Sequence, residues 1–323
     1  MKIGILGAGS IAGRVCGAIT KLDSVELYAV ASRSLEKAKD FAAQYGAKKA
    51  YGSYEQMLAD PKVELVYIAT PHSHHFAHMQ LCLAYGKHIL CEKAFTQTAA
   101  QAKEIIALAR EKGVYLAEAI WTRYMPSRYL INEVIESGII GKVSILTANL
   151  SYPISTRPRI TDPNLAGGAL LDIGIYGLNF TLMHFGKDYS RIETSVQMLP
   201  SGVDGMETIT IFYEDGRSAV LTHSVYGRSD RKGIFYGEKG YIIVENINNP
   251  QSIQVFDLDD QMIASYAVPP QINGYEYEFL EAEKCIRDGL TESKSMPLDE
   301  TLYVMELMDS IRAKWGMVYP IEK

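Results

Sequence analysis

The sequence predicts an α/β protein whose N-terminal part is a doubly wound parallel sheet and whose C-terminal part is an α+β domain on a mostly antiparallel open sheet. Three observations predict it. Up to about residue 119 short apolar runs alternate with segments of helical period; a glycine-rich turn, Gly7-Ala8-Gly9, joins the first run to the first helix; and beyond about residue 140 the runs lengthen and are joined by turns. With 323 residues the chain exceeds the usual size of one core, so two domains are expected, 1–120 and 121–323.

Taken in order, the apolar runs are KIGIL (2–6), VELYAVAS (25–32), LVYIAT (65–70), KHILC (87–91) and YLAEA (115–119). Their continuity, rather than alternation, is what a parallel strand covered on both faces requires. Between them lie SIAGRVCGAITKL (10–22), SLEKAKDFAAQYG (34–46), HFAHMQLCLAYG (75–86) and AAQAKEIIALAREKG (99–113), each with the period of a crossover helix. Ser34 is placed to cap one helix start, and Gly46, Gly86 and Gly113 to end helices in a left-handed turn. After a helix near 127–137 come KVSILTANLSY (142–152), ETITIFYEDGRSAVLTHSV (207–225), GYIIVEN (240–246) and SIQVFDLDDQMIASYAV (252–268). Asp215-Gly216 and the EKG before Tyr241 read as hairpin turns, and helices over 275–288 and 299–314 finish the chain.

Gly7-Ala8-Gly9-Ser10-Ile11-Ala12 is GxGxxA between a strand and a helix, the context in which this motif binds a dinucleotide. Gly7 makes the tight turn, Gly9 lets the backbone approach a pyrophosphate, and Ala12 allows close packing while the helix N-terminus faces the negative charge. The N-terminal domain is therefore expected to be a Rossmann domain. At the end of the second strand, where an acid would bind the ribose hydroxyls of NAD, stand Ser32 and Arg33, with Lys37 one turn on. A hydroxyl and a planar cation suit a 2′-phosphate, so NADP is the expected cofactor, with NAD as the other option.

Further motifs, TPHSHH (70–75), EKAF (92–95) and GGALLDIGIY (167–176), join GAGSIA (7–12) in a sequence that resembles the glucose-fructose oxidoreductase / inositol dehydrogenase (GFO/IDH/MocA) family. AEAIWTRYMP (117–126) is similar to the branch with dihydrodiol dehydrogenases and NADP-dependent xylose dehydrogenases. The resemblance spans both halves. It implies that Lys93 is catalytic, that Thr70, Pro71, His72 and His75 lie along the cofactor with Glu92, and that Trp121 and Arg123 close the nicotinamide end. Both TPHSHH and EK follow strands at their carboxyl ends, where open α/β sheets bind ligands, and alternation along a strand sends Glu92 and Lys93 to opposite sides. The family usually has proline after this lysine; here residue 94 is alanine.

Asp172 and Tyr176 are four apart and would share a helix face, beneath room left by Gly167 and Gly168. The resemblance implies that Asp172 orients substrate and lysine, and that Tyr176 stands where the inositol-type branch has histidine. A free phenol titrates near 10, so Tyr176 serves as a base only if a cation such as Lys93 stabilises its anion; the roles of proton acceptor and polariser are exchangeable between them. The implied reaction moves a hydride between the nicotinamide and the CH–OH carbon of a small sugar, polyol or vicinal diol, with Tyr152, Arg157, Asp162 and Asn164 as candidate lining residues.

Other classes fit less well. A non-catalytic NADP-binding redox sensor would need none of Lys93, Asp172 and Tyr176, and a biliverdin-reductase-like enzyme would have no use for a lysine and a tyrosine at a carbinol. His72, His74, His75 and His78 crowd one stretch, yet HExxH and CxxC are lacking, so no metal is expected. With net charge −6 and no basic cluster, nucleic acid is excluded as a partner, and no apolar run is read as long enough to cross a bilayer. The N-terminus lacks a signal-peptide pattern and the four cysteines are scattered, which points to the cytoplasm. Twenty-one tyrosines suit a sugar-sized cleft or a subunit interface, and the open sheet is expected to pair in a homodimer or higher homo-oligomer.

Overall fold

The computed structural model describes residues 1–323 and divides them into two compact units, Met1–Tyr124 with Gln271–Glu306, and Met125–Pro270 with Leu307–Lys323. In the first unit β1 (Lys2–Leu6), β2 (Glu26–Ala31), β3 (Lys49–Tyr51), β4 (Leu65–Ile68), β5 (His88–Glu92) and β6 (Leu116–Ala119) form one sheet in the order 3-2-1-4-5-6, every neighbour parallel. The helices α1 (Ser10–Ile19), α2 (Leu35–Tyr45), α3 (Tyr54–Leu58), α4 (His72–Ala84) and α5 (Ala99–Lys112) connect them. Ile3, Ile5, Val30, Leu65, Ile89 and Leu90 are fully buried, which is why these strands read as unbroken apolar runs. Strand order reverses between β1 and β4, so their carboxyl ends flank the place where such sheets bind ligands.

Local chemistry fixes the helix ends. Ser34 Oγ accepts the Lys37 N–H at 3.3 Å, Ser53 accepts that of Gln56, and Thr98 that of Gln101, each satisfying an otherwise orphaned donor for about 1 kcal/mol. At the other ends Gly46 (φ 82°) and Gly113 (φ 61°) adopt the left-handed conformation that stops a helix.

The second unit starts with α6 (Ser127–Glu136), β7 (Val143–Ser151), α7 (Pro158–Thr161), a π-helical turn (Leu170–Gly174) and α8 (Ile175–Phe185). Seven strands follow: β8 (Tyr189–Met198), β9 (Asp204–Tyr213), β10 (Ser218–Ser224), β11 (Gly233–Gly237), β12 (Gly240–Val244), β13 (Ser252–Asp257) and β14 (Met262–Ala267). The eight strands lie in the order 14-13-12-11-7-10-9-8, antiparallel except where β7 meets β10. Leu146, Ile209, Ile211, Ala219 and Leu221 point inward from this sheet at zero exposure, and α8 packs over β7 and β10.

Two findings depart from the sequence reading. The stretch Pro163–Phe185 is apolar and long enough to span a bilayer, contrary to the expectation that no such run exists; 94% of its apolar window is buried, so its composition is that of an interior segment covered all round. The chain also returns to the first unit through residues 271–306, which carry α9 (Glu276–Arg287) and the start of α10 (Leu298–Lys314). Phe279 of α9 packs its ring 5.3 Å from that of Tyr67 on β4.

Candidate active site

The turn after β1 has the shape that a pyrophosphate needs. Gly7 has φ 104°, and a side chain there would press on Thr70 and the Ala69 carbonyl, so glycine is required by both conformation and packing. Gly9 is the N-cap of α1 with no side chain capping it, and a side chain added there would meet only the Ala69 carbonyl, at 3.8 Å. The first N–H groups of α1 at Ser10 and Ile11 thus face open space without a side-chain acceptor, while Ala12 is fully buried. These residues fit a dinucleotide phosphate.

At the end of β2, Ser32 is buried and its Oγ accepts from the Ser34 N–H at 3.5 Å. Arg33 and Lys37 are exposed, and the Arg33 charge reaches His74 and His78, lowering both below the ordinary histidine range after burial has done most of that work. An exposed cation at this edge suits a 2′-phosphate.

The ends of β4 and β5 are tied together by His75. This ring is fully buried, with Nδ1 2.8 Å from the Ala94 carbonyl and Nε2 2.8 Å from the Thr70 carbonyl. Burial pushes it down to about 4 although both carbonyls favour the protonated form, and a neutral ring can donate to only one of them. Its contribution therefore runs through the backbone of the two turns, not through a face offered to the cofactor. Thr70 Oγ1 bonds His78 Nδ1 at 3.0 Å, Pro71 is the exposed N-cap of α4, and His72 sits edge-on to His75 at 5.8 Å.

Glu92 ends β5 and Lys93 follows it, and the two differ in burial. The Glu92 carboxylate is buried and accepts from the Tyr67 hydroxyl inside the unit, whereas Lys93 is half-buried. The Lys93–Ala94 peptide bond is cis, so this turn takes a cis form with alanine in the place of the family's proline. Under it, Glu118 accepts the Phe95 N–H at 3.2 Å, and its carboxyl is pushed up to about 7 by burial.

Trp121 and Arg123 are both buried and both engaged. Trp121 stacks on Tyr275 with ring centroids 4.3 Å apart and planes 8° from parallel, and Arg123 pairs with Glu300 at 2.9 Å. Neither Tyr275 nor Glu300 was legible as a partner, because each arrives from the returning segment 271–306.

In the second unit Asp172 lies in the π-helical turn and Tyr176 at the start of α8; both are buried. A π-turn inside a helix is a frequent mark of a functional site. Arg159 donates to the Asp172 carboxylate from α7. Sequence reasoning named Arg157 and missed Arg159, although Pro158 between them marks a helix start and so fixes the direction of the next side chains. Arg157 is the N-cap of α7, and Asp162 Oδ1 accepts the Asn164 N–H at 2.9 Å and its side-chain amide at 3.0 Å, a local turn. Tyr152 bonds through its N–H to the Ser224 carbonyl at 3.1 Å. The two glycines expected to leave room above Asp172 and Tyr176 have that room taken by the protein itself. A side chain on Gly167 would overlap the Ile160 carbonyl, and one on Gly168 (φ 117°) the Asp204 carboxylate.

Comparison with known proteins agrees with this anatomy. Residues 1–119 match the family model described as "Oxidoreductase family, NAD-binding Rossmann fold", and residues 130–243 match the GFO/IDH/MocA C-terminal domain. Trans-1,2-dihydrobenzene-1,2-diol dehydrogenase of Mus musculus is 34% identical over 336 residues, covering 100% of this chain and 99% of the relative; that of Homo sapiens is 33% identical over 331 residues with the same coverage. Among solved structures, a 3-ketoreductase from Actinomadura kijaniata in complex with NADP and TDP-benzene superposes with TM-score 0.87 at 23% identity over 97% of each chain. An aldose-aldose oxidoreductase from Caulobacter crescentus complexed with glycerol gives 0.86 at 23% over 99% of each. With relatives alike from end to end and a phosphate cradle on the first strand, the chain belongs to the GFO/IDH/MocA oxidoreductase family.

Proposed function

We propose that this chain is an NADP-dependent dehydrogenase that transfers a hydride between the nicotinamide and the CH–OH carbon of a small sugar, polyol or vicinal diol. The observation that carries this reading is end-to-end identity of 34% with a diol dehydrogenase, together with the open N-terminus of α1. Gly7, Gly9, Ser10, Ile11 and Ala12 would hold the pyrophosphate, Ser32, Arg33 and Lys37 the 2′-phosphate, and Thr70, Pro71 and His72 the neighbouring groups; when bound, the dinucleotide supplies the hydride acceptor or donor. Solved neighbours carry NADP, which supports the same choice.

The chain's own residues handle the proton. The roles of polariser and proton acceptor at the carbinol oxygen are assigned to Lys93 and Tyr176 and are exchangeable between them, since a phenol is a poor base at neutral pH unless a cation stabilises its anion. Asp172 orients the hydroxylated substrate, and Arg159 donates to that carboxylate and helps to hold it in place. His75 bears on the backbone just after Lys93 through the Ala94 carbonyl.

The protein is further proposed to act in the cytoplasm, in keeping with four buried free cysteines, and as a homodimer or higher oligomer. Ile145, Tyr236 and Met206 share the outward face of the second sheet at 41%, 37% and 37% exposure, an apolar surface that a second copy would cover. A screen of pentoses, hexoses and trans-diols with NADP and with NAD, reading absorbance of the reduced cofactor, tests the function; inertness toward every substrate despite tight NADP binding would sink it. Sedimentation tests the assembly.

A further inference from the structure

Three ionisable side chains lie on the inner face of the second sheet, where their alternate neighbours are apolar. Asp204 and Glu207 stand on β9 and His223 on β10, at 0%, 1% and 0% exposure, beside the fully buried Ile209, Ile211, Ala219 and Leu221. Leucine or valine would fill such positions without the cost of desolvating a polar group. His223 and Glu207 are direct cross-strand partners, and Glu207 Oε1 lies 3.1 Å from His223 Nδ1 without the alignment of a hydrogen bond.

All three sit under the segment that carries Asp172 and Tyr176, at the places where that segment has glycine. The Asp204 carboxylate fills the space of a side chain at Gly168 and accepts the Leu170 N–H at 2.5 Å. Glu207 Oε1 fills that space at Gly174, with His223 Nδ1 next to it, and His223 Nε2 and Cε1 fill it at Gly177, the residue after Tyr176. The glycines at 168, 174 and 177 are thus the imprint of what lies below them. Interiors are close-packed, so these groups set the height of the helix above the sheet.

We propose that Glu207 and His223 are positioning residues for the acid and the phenol of the proposed active site, bearing on Gly174 and Gly177 so that Tyr176 is held at a fixed height. The inference rests on the reading of Asp172 and Tyr176 as the proton-handling groups. Burial drives the Glu207 carboxyl up and His223 down to about 3, and burial with Glu207 alongside pushes Asp204 up to about 8.

The test uses the full-length protein and two readouts: the ionisation of the Tyr176 phenol, isolated as the ultraviolet difference titration against the Tyr176→Phe counterpart of each variant, and kcat with KM for NADP. His223→Ala opens a void under Gly177, and Gly177→Ala pushes the helix off an intact His223. Both are expected to displace the Tyr176 titration and to lower kcat on the order of tenfold to a hundredfold with KM for NADP unchanged. His223→Gln, similar in volume and polarity, is expected to stay within about threefold of wild type. If His223→Ala does not fold, Gly177→Ala in a protein with native circular dichroism decides. A Tyr176 titration and kcat equal to wild type in either folded variant would overturn the proposal. A displaced titration in a protein inert toward every sugar and diol would uphold the positioning role and overturn the proposed function instead.

Discussion

The guanidinium of Arg159 donates to the carboxylate of Asp172, joining a half-exposed cation on a short helix to a buried acid in the π-helical turn. Removing the cation takes a charge-assisted donor from a buried carboxylate, and bonds of this kind contribute about 1.5–3 kcal/mol. Arg159→Met is expected to lower kcat/KM for the hydroxylated substrate by about 10–100-fold, and Arg159→Lys by less, since lysine keeps the charge without the fork. Steady-state kinetics checks it. Wild-type kcat/KM in Arg159→Met would remove Asp172 from the substrate-orienting role.

Cofactor choice should follow the exposed edge after β2. Arg33→Ala is expected to weaken NADP binding by about tenfold or more, with NAD binding nearly unchanged, because only the 2′-phosphate distinguishes the two ligands. Titration of both nucleotides at two salt concentrations is the check. Equal losses for NADP and NAD would show that Arg33 acts elsewhere.

Stability should depend on pH through Glu118. Folded, this carboxyl holds its proton up to about pH 7, pushed there by burial; unfolded, it does so only near its ordinary value of 4.5. Between those values the folded state binds more protons, so its contribution is full below the lower value and is lost as pH rises toward the upper one, on the order of 3 kcal/mol at most. Asp204, pushed up to about 8, acts in the same sense. Glu118→Gln removes the first contribution and is expected to melt higher than wild type at pH 8 relative to pH 5. Parallel melting curves for the two proteins at both pH values would refute this assignment.

Gly168→Ala tests the glycine imprint from the other side. A methyl group would meet the Asp204 carboxylate at a residue with φ 117°, so the substitution is expected to destabilise by about 2 kcal/mol or more. Chemical denaturation measures it, and a loss under about 0.5 kcal/mol would mean that Asp204 can move aside.

Most of the first unit was legible because its physics is local. Apolar runs, serine caps and left-handed glycines are each determined by a few adjacent residues, and KIGIL through YLAEA correspond to β1, β2, β4, β5 and β6. The misses have causes. Strand β3 has only three residues, and β8 alternates largely between exposed and half-buried positions, so neither produces an apolar run. Lys93, Asp172 and Tyr176 were named from motifs, whereas the contacts of Arg159, Tyr275, Glu300, Glu207 and His223 were not legible, since each meets its partner through the folded backbone rather than through spacing along the chain. His75 was read from its motif as lying along the cofactor; the structure buries its ring fully, with a backbone carbonyl within hydrogen-bond distance of each nitrogen, a placement no motif shows.

The most direct measurement is turnover of Lys93→Met beside its affinity for NADPH. With the phosphate cradle untouched, binding is expected to match wild type while oxidation of the best sugar or diol falls on the order of a thousandfold or more. Turnover equal to wild type in a protein that binds the nucleotide normally would contradict the assignment of Lys93 to the chemistry.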